Sequence, residues 1–99
     1  MSYLRILVLE LVGGDYQEIA DRAMEELAEK QLKTASGFIS YSVGRDADGN
    51  VVIVNQWQTV EQATTAVTTA AVWAGNALGD QIRPIRSYLV ELTHSTAGQ

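Results

Sequence analysis

The sequence predicts an α+β domain built on a four-stranded antiparallel sheet. Three observations carry this: four short runs rich in Leu, Ile and Val, two stretches with helical signatures opened by capping residues, and their order along the chain, β-α-β-β-α-β. The first run, Tyr3 to Val12, has strand length and ends at Gly13-Gly14. Asp15 then opens a helix, with Glu18 three residues on completing a D-x-x-E cap. Tyr16, Ile19, Ala20, Ala23, Leu27 and Ala28 form its apolar stripe, and Glu18/Arg22, Glu26/Lys30 and Glu29/Lys33 set acid before base on the other side. The helix is expected to run to about Lys33 and to leave through Ser36-Gly37.

Phe38 to Arg45 and Val51 to Gln58 read as a strand pair, joined by Asp46-Ala47-Asp48-Gly49-Asn50, which supplies hairpin residues. Thr59 with Gln62 gives a second capping box. The Ala/Thr-rich stretch behind it reads as a helix that breaks near Thr69 and ends by Gly79, because threonine is a mediocre helix former. The last strand is placed at Ile85 to Thr93, after Pro84, and His94 to Gln99 as a polar tail. The whole, residues 1–99, reads as one domain in the ferredoxin-like arrangement, with both helices on one face of the sheet.

A sheet covered on one face should alternate apolar and polar residues, and this one does not. Leu7, Leu9 and Leu11 point one way from the first strand while Leu4, Ile6 and Val8 point the other; in the third, Val51 and Ile53 oppose Val52 and Val54. Two helices cover one face only. The second apolar face is expected to meet a second copy of the chain, so a homodimer is predicted.

Composition narrows the chemistry. The chain has 99 residues, no cysteine and one histidine, His94, which excludes thiol chemistry, disulfides, cysteine zinc sites and a His-rich metal centre. The formal charge is −5, and from Glu10 to Glu29 seven carboxylates face Arg22 alone among basic residues, so nucleic acid and anionic membrane surfaces are disfavoured as partners. The uncharged stretch Gln62–Gly79 has ten apolar residues in eighteen and four threonines, too polar for a membrane span. The N-terminus lacks the features of a signal peptide, and a cytoplasmic location is expected.

Ser36-Gly37-Phe38, Val43-Gly44-Arg45-Asp46 with Asp48-Gly49, and Gln56-Trp57-Gln58-Thr59-Val60-Glu61 together resemble the antibiotic biosynthesis monooxygenase (ABM) family over nearly the whole chain. The resemblance implies a dimeric α+β barrel. It also implies oxygenation of quinols or anthrone-like phenols without metal or flavin, the deprotonated substrate itself passing an electron to dioxygen. Trp57 matches the family's strand-three tryptophan. The pocket asparagine of the polyketide-tailoring members falls at Ile53, their helix-two tyrosine near Ala63 and their later arginine near Ala77. Haem-degrading relatives use a helix-two histidine, and none occurs between Thr59 and Gly79.

The candidate catalytic residues are therefore Asn55 and Trp57, two positions apart on one side of a strand, with Asn55 taking an oxyanion-binding role. Tyr41 and Trp73 are candidate walls for an aromatic ligand, and Arg86 the candidate to hold an anionic oxygen. Each has a plainer reading: Trp57 and Trp73 as core, Asn55 bonded to a neighbouring loop, Arg86 in an ion pair with Glu10 or Glu91 across subunits. No cofactor is expected. The alternative to an enzyme is a non-catalytic ligand-binding or stress-related dimeric barrel.

Overall fold

The computed structural model describes residues 1–96, and the last three residues of the expected polar tail lie outside that range. The sheet has the order β2-β3-β1-β4, with β1 Ser2–Leu11, β2 Phe38–Arg45, β3 Val51–Trp57 and β4 Ile82–Leu92, every neighbouring pair antiparallel. This is the ferredoxin-like arrangement the sequence predicts. Two helices, α1 (Tyr16–Arg22) and α2 (Val60–Ala77), pack on one face of it.

The Asp15 side chain accepts the backbone N–H of Glu18 at 3.0 Å and caps α1, one half of the expected box. The helix then continues through Ala23–Leu32 with wider π-type turns; the N–H of Lys33 reaches the carbonyl of Ala28, five residues back, at 2.8 Å. Ala23, Leu27, Ala28 and Leu32 are thereby buried. Of the expected ion pairs Glu29–Lys33 forms, whereas Arg22 turns forward to Glu26 instead of back to Glu18.

Both halves of the second capping box are made: Gln62 N–H donates to Thr59 Oγ1 at 3.2 Å, and Thr59 N–H to Gln62 Oε1 at 3.1 Å. Gln62 also donates to Ser36 Oγ, which ties the start of α2 to the entry of β2. Gly37 sits against this cap with φ +83°, where a Cβ would run into the Gln62 amide. The expected break near Thr69 is absent. The hydroxyls of Thr64, Thr65 and Thr69 each donate to the carbonyl four residues back, so the threonines are satisfied within an unbroken helix.

The last strand begins at Ile82 and includes Pro84, three residues earlier than expected. It is an edge strand, where a missing N–H is tolerated, and a bulge between Val8 and Leu9 of β1 absorbs the irregularity. In the β2–β3 hairpin Asp46 Oδ1 accepts the N–H groups of Asp48 and Asn50, both at 2.9 Å. Its Oδ2 accepts Asn50 Nδ2, and these bonds to Asn50 hold the carboxyl below the usual carboxylate range.

Register assigns the two faces. Arg5, Leu7 and Leu9 of β1 look toward the helices together with Val43, Val51 and Ile53. Leu4, Ile6 and Val8 lie on the open face with Val52, Val54, Tyr88 and Val90. A buried cluster of Leu27, Leu32, Trp57, Ala63 and Ala66 joins the helices to one end of the sheet. The helices leave the later part of β4 uncovered. Tyr88, Leu89 and Val90 are 47%, 44% and 38% exposed, so consecutive residues on both faces of this strand are bare. Among the described residues no helix is long and apolar enough to cross a membrane.

Candidate functional site

A cavity of about 220 Å³ lies between the helix-facing side of the sheet and the two helices. Leu7, Leu9 and Ile53 form its floor, Ala23 and Leu27 one side, and the alanines of α2, Ala70 and Ala74 among them, the roof. The space follows from the sequence: a helix face made of alanine projects too little side chain to fill the gap above a sheet. Trp73, set among those alanines, stands in the wall. Its indole N–H donates to Glu26 Oε1 at 3.2 Å.

Glu26 is the hub of a small network that fixes the two helices to each other. Arg22 Nε donates to its Oε2 at 3.0 Å, and Arg22 Nη1 donates to the carbonyl of Ala77 at the end of α2 at 2.9 Å. The Arg22 hydrogen bond, followed by that of Trp73, holds the Glu26 carboxyl below the usual carboxylate range. The acid is thus committed to Arg22 and Trp73, outside the cavity lining.

Asn55 and Trp57 do meet, as their spacing suggests. The Trp57 indole N–H donates to Asn55 Oδ1 at 2.7 Å. Trp57, however, is 1% exposed and packs edge-on against Phe38 with ring centroids 5.6 Å apart, in the core cluster at the end of the sheet. It does not line the cavity. Asn55 stands one row beyond the cavity floor, its oxygen taken by Trp57 and its amide nitrogen donating to no described residue.

Tyr41 is in register with Asn55 and packs against the same core cluster. Its hydroxyl is buried without a hydrogen-bond partner among the described residues, and burial pushes the phenol well above its ordinary value. It therefore stays protonated at neutral pH. Arg86 is opposite Val8 on the open face, the wrong side of the sheet for the cavity; it faces the hairpin acid Asp46, which it helps to keep ionised. The expectation that Arg86 reaches the ligand is corrected by strand register: the bulge at Val8/Leu9 sets which residues of β4 look outward. Glu10 is paired with Arg83 and Glu91 accepts from Tyr3, so neither faces the cavity.

One cavity residue escaped the sequence reading. Arg5 lines the cavity at the end nearest Asn55, with which it is in register. The signal was present: by the period of two, Arg5 shares its side of β1 with Leu7 and Leu9.

No protein-family model matches the chain, and no curated protein matches it. Solved structures do. SnoaB of Streptomyces nogalater, a cofactor-independent oxygenase, is similar at TM-score 0.73 and 12% identity, covering 95% of each chain. A monooxygenase of Streptomyces coelicolor in complex with nanaomycin D is similar at TM-score 0.72 and 14% identity, covering 99% of this chain and 93% of the other. A candidate antibiotic biosynthesis monooxygenase of Nitrosomonas europaea gives TM-score 0.71 and 18% identity over 97% and 94%. At such identities the similarity is one of architecture, and the chain has the fold of the antibiotic biosynthesis monooxygenases.

Proposed function

We propose that the protein is a homodimeric, cofactor-independent monooxygenase acting on a small aromatic or quinol-type substrate. The observation that carries this is the apolar cavity between sheet and helices, in a fold shared with SnoaB. Size restricts the substrate. A cavity of about 150 Å³ accepts benzene, so about 220 Å³ suits one or two fused rings. In the reaction, an ionised phenol or quinol gives an electron to dioxygen within the cavity. Overall the substrate reacts at the ring carbon that is CH₂ in its keto tautomer: that CH₂ becomes C=O, one oxygen atom entering the product and the other leaving as water. The protein's part is to hold the ring flat against Trp73 and the alanines, keep water out, and favour the ionised substrate. Asn55, one row beyond the cavity floor, offers its amide N–H₂ to the developing oxyanion, with Trp57 fixing its orientation. Tyr41 stands beside Asn55 in the same row.

Oxygen uptake with a panel of naphthols and naphthoquinols tests the activity. Wild type is expected to exceed the autoxidation rate, and Asn55→Ala to lower that excess at least tenfold. Uptake equal to autoxidation for every compound would reject turnover and leave the non-catalytic binding barrel as the reading.

The bare apolar strand β4 and the open face beside it support the dimer. Sedimentation at micromolar concentration is expected to give twice the 10.8 kDa chain mass. A monomer there would contradict the second-copy cover.

A further inference from the structure

The cavity wall is apolar except at one place. Among the described residues Arg5 is the only charged one in the wall, and its guanidinium makes neither an ion pair nor a hydrogen bond with any of them. The acids that approach the fold's interior or edges are engaged elsewhere: Glu26 with Arg22 and Trp73, Glu91 with Tyr3, Glu10 with Arg83. A leucine at position 5 would simply extend the stripe of Leu7 and Leu9. A cation placed there instead loses solvation and gains no partner within the chain. Consistent with this, burial alone lowers its proton affinity, with no carboxylate contributing. Beside it, in register, Asn55 presents an uncommitted amide N–H₂.

We infer that Arg5 makes the cavity an anion site, selecting a one- or two-ring aromatic ligand that carries a negatively charged oxygen, a phenolate or carboxylate, and holding that oxygen between Arg5 and Asn55. This rests on the cavity being the ligand site of the proposed function and does not depend on turnover. It also answers a problem of net charge. A chain at −5 repels anions at long range, so an anionic ligand needs a local cation, and partial desolvation makes its attraction stronger than in water. For an oxygenation substrate the same contact stabilises the ionised phenol, and among the described residues the wall holds no carboxylate or histidine to do so. The role that sequence reading gave to Arg86 falls to Arg5.

The test uses a matched pair of probes, 2-naphthoate and methyl 2-naphthoate, titrated into the intact protein at pH 7.5 and followed by tryptophan quenching and calorimetry. Wild type is expected to bind the carboxylate on the order of 10- to 100-fold tighter than the ester, the range of a charge-assisted hydrogen bond. Arg5→Met is expected to abolish that preference while keeping ester affinity within about threefold, which also shows the cavity intact. Arg5→Lys should restore part of the preference and carries the same comparison should the methionine variant not fold. Equal binding of the two probes by wild type, a carboxylate preference that survives Arg5→Met, loss of both probes in a folded Arg5→Met protein, or binding of neither probe would each overturn the proposal. Oxygen uptake is not read, so failure of the monooxygenase activity leaves these outcomes unchanged.

Discussion

Trp57→Ala is expected to cost about 3–5 kcal/mol and to lower the melting temperature by roughly 15–30 °C, read by circular dichroism at fixed protein concentration. The side chain is 1% exposed and is the largest member of the buried cluster with Leu27, Leu32, Ala63 and Ala66, so its removal leaves a hole that several elements share. A domain of this length has a total stability of about 5–15 kcal/mol, which makes this a large fraction of the whole. Trp57→Phe separates packing from hydrogen bonding. It keeps most of the ring and deletes the N–H donated to Asn55, for an expected loss of about 1 kcal/mol beyond the volume change. A Trp57→Ala protein within about 1 kcal/mol of wild type would refute the core assignment. The pair of variants also governs how Asn55→Ala is read in the uptake assay: truncating Asn55 orphans the buried indole N–H, so lost activity speaks to oxyanion binding only where the melting temperature shows that the fold has held.

Much of the fold was legible because strand runs, caps and glycines agree with one another at each level. Asp15, Thr59 and Gln62 announce helix starts through hydrogen bonds that are local in sequence, and Asp46 and Asn50 do the same for the hairpin. The errors in strand limits and in the site came where a non-local partner decides, and the error in α2 came from reading threonine by propensity alone. Threonine propensity suggested a break at Thr69, and back-bonding to Thr65 removes the reason for one. The start of β4 was hidden because Pro84 reads as a boundary until it is known to lie on an edge strand beside a bulge. The candidate site was legible in kind but not in detail. Period two correctly put Asn55 and Trp57 on one side, yet the depth of Trp57 depends on Phe38 and Leu32, brought in from other elements. Arg86 was misplaced because its face is set by the register of β4 on β1. Arg5 was passed over because an arginine in a strand looks like a solvent-facing residue until the helices are seen to cover its side.

Ala74→Leu is the second large effect, and its two readouts move in opposite directions. The position lies in the cavity roof, one residue from Trp73. Three added carbons entering empty apolar space would bring at most about 2.4 kcal/mol at 0.8 kcal/mol per methylene, and loss of rotamer freedom trims this to about 1.5 kcal/mol of net stabilisation. That gain should raise the melting temperature by about 6–12 °C. The same carbons occupy the place of the aromatic ring, so 2-naphthoate affinity and any oxygen uptake above autoxidation are expected to fall at least tenfold. Leucine leaves Arg5, Asn55 and Glu26 untouched, which separates loss of space from loss of chemistry. Were the substitution instead to destabilise by 1–3 kcal/mol, as overpacking does, the alanine-roofed volume would not be free space and the cavity could not be the ligand site. A stabilised variant that still bound naphthoate at wild-type affinity would place the ligand elsewhere on the molecule. Stabilisation together with lost binding is the combination a preformed cavity produces, since the space that weakens the packing is the same space the ligand needs.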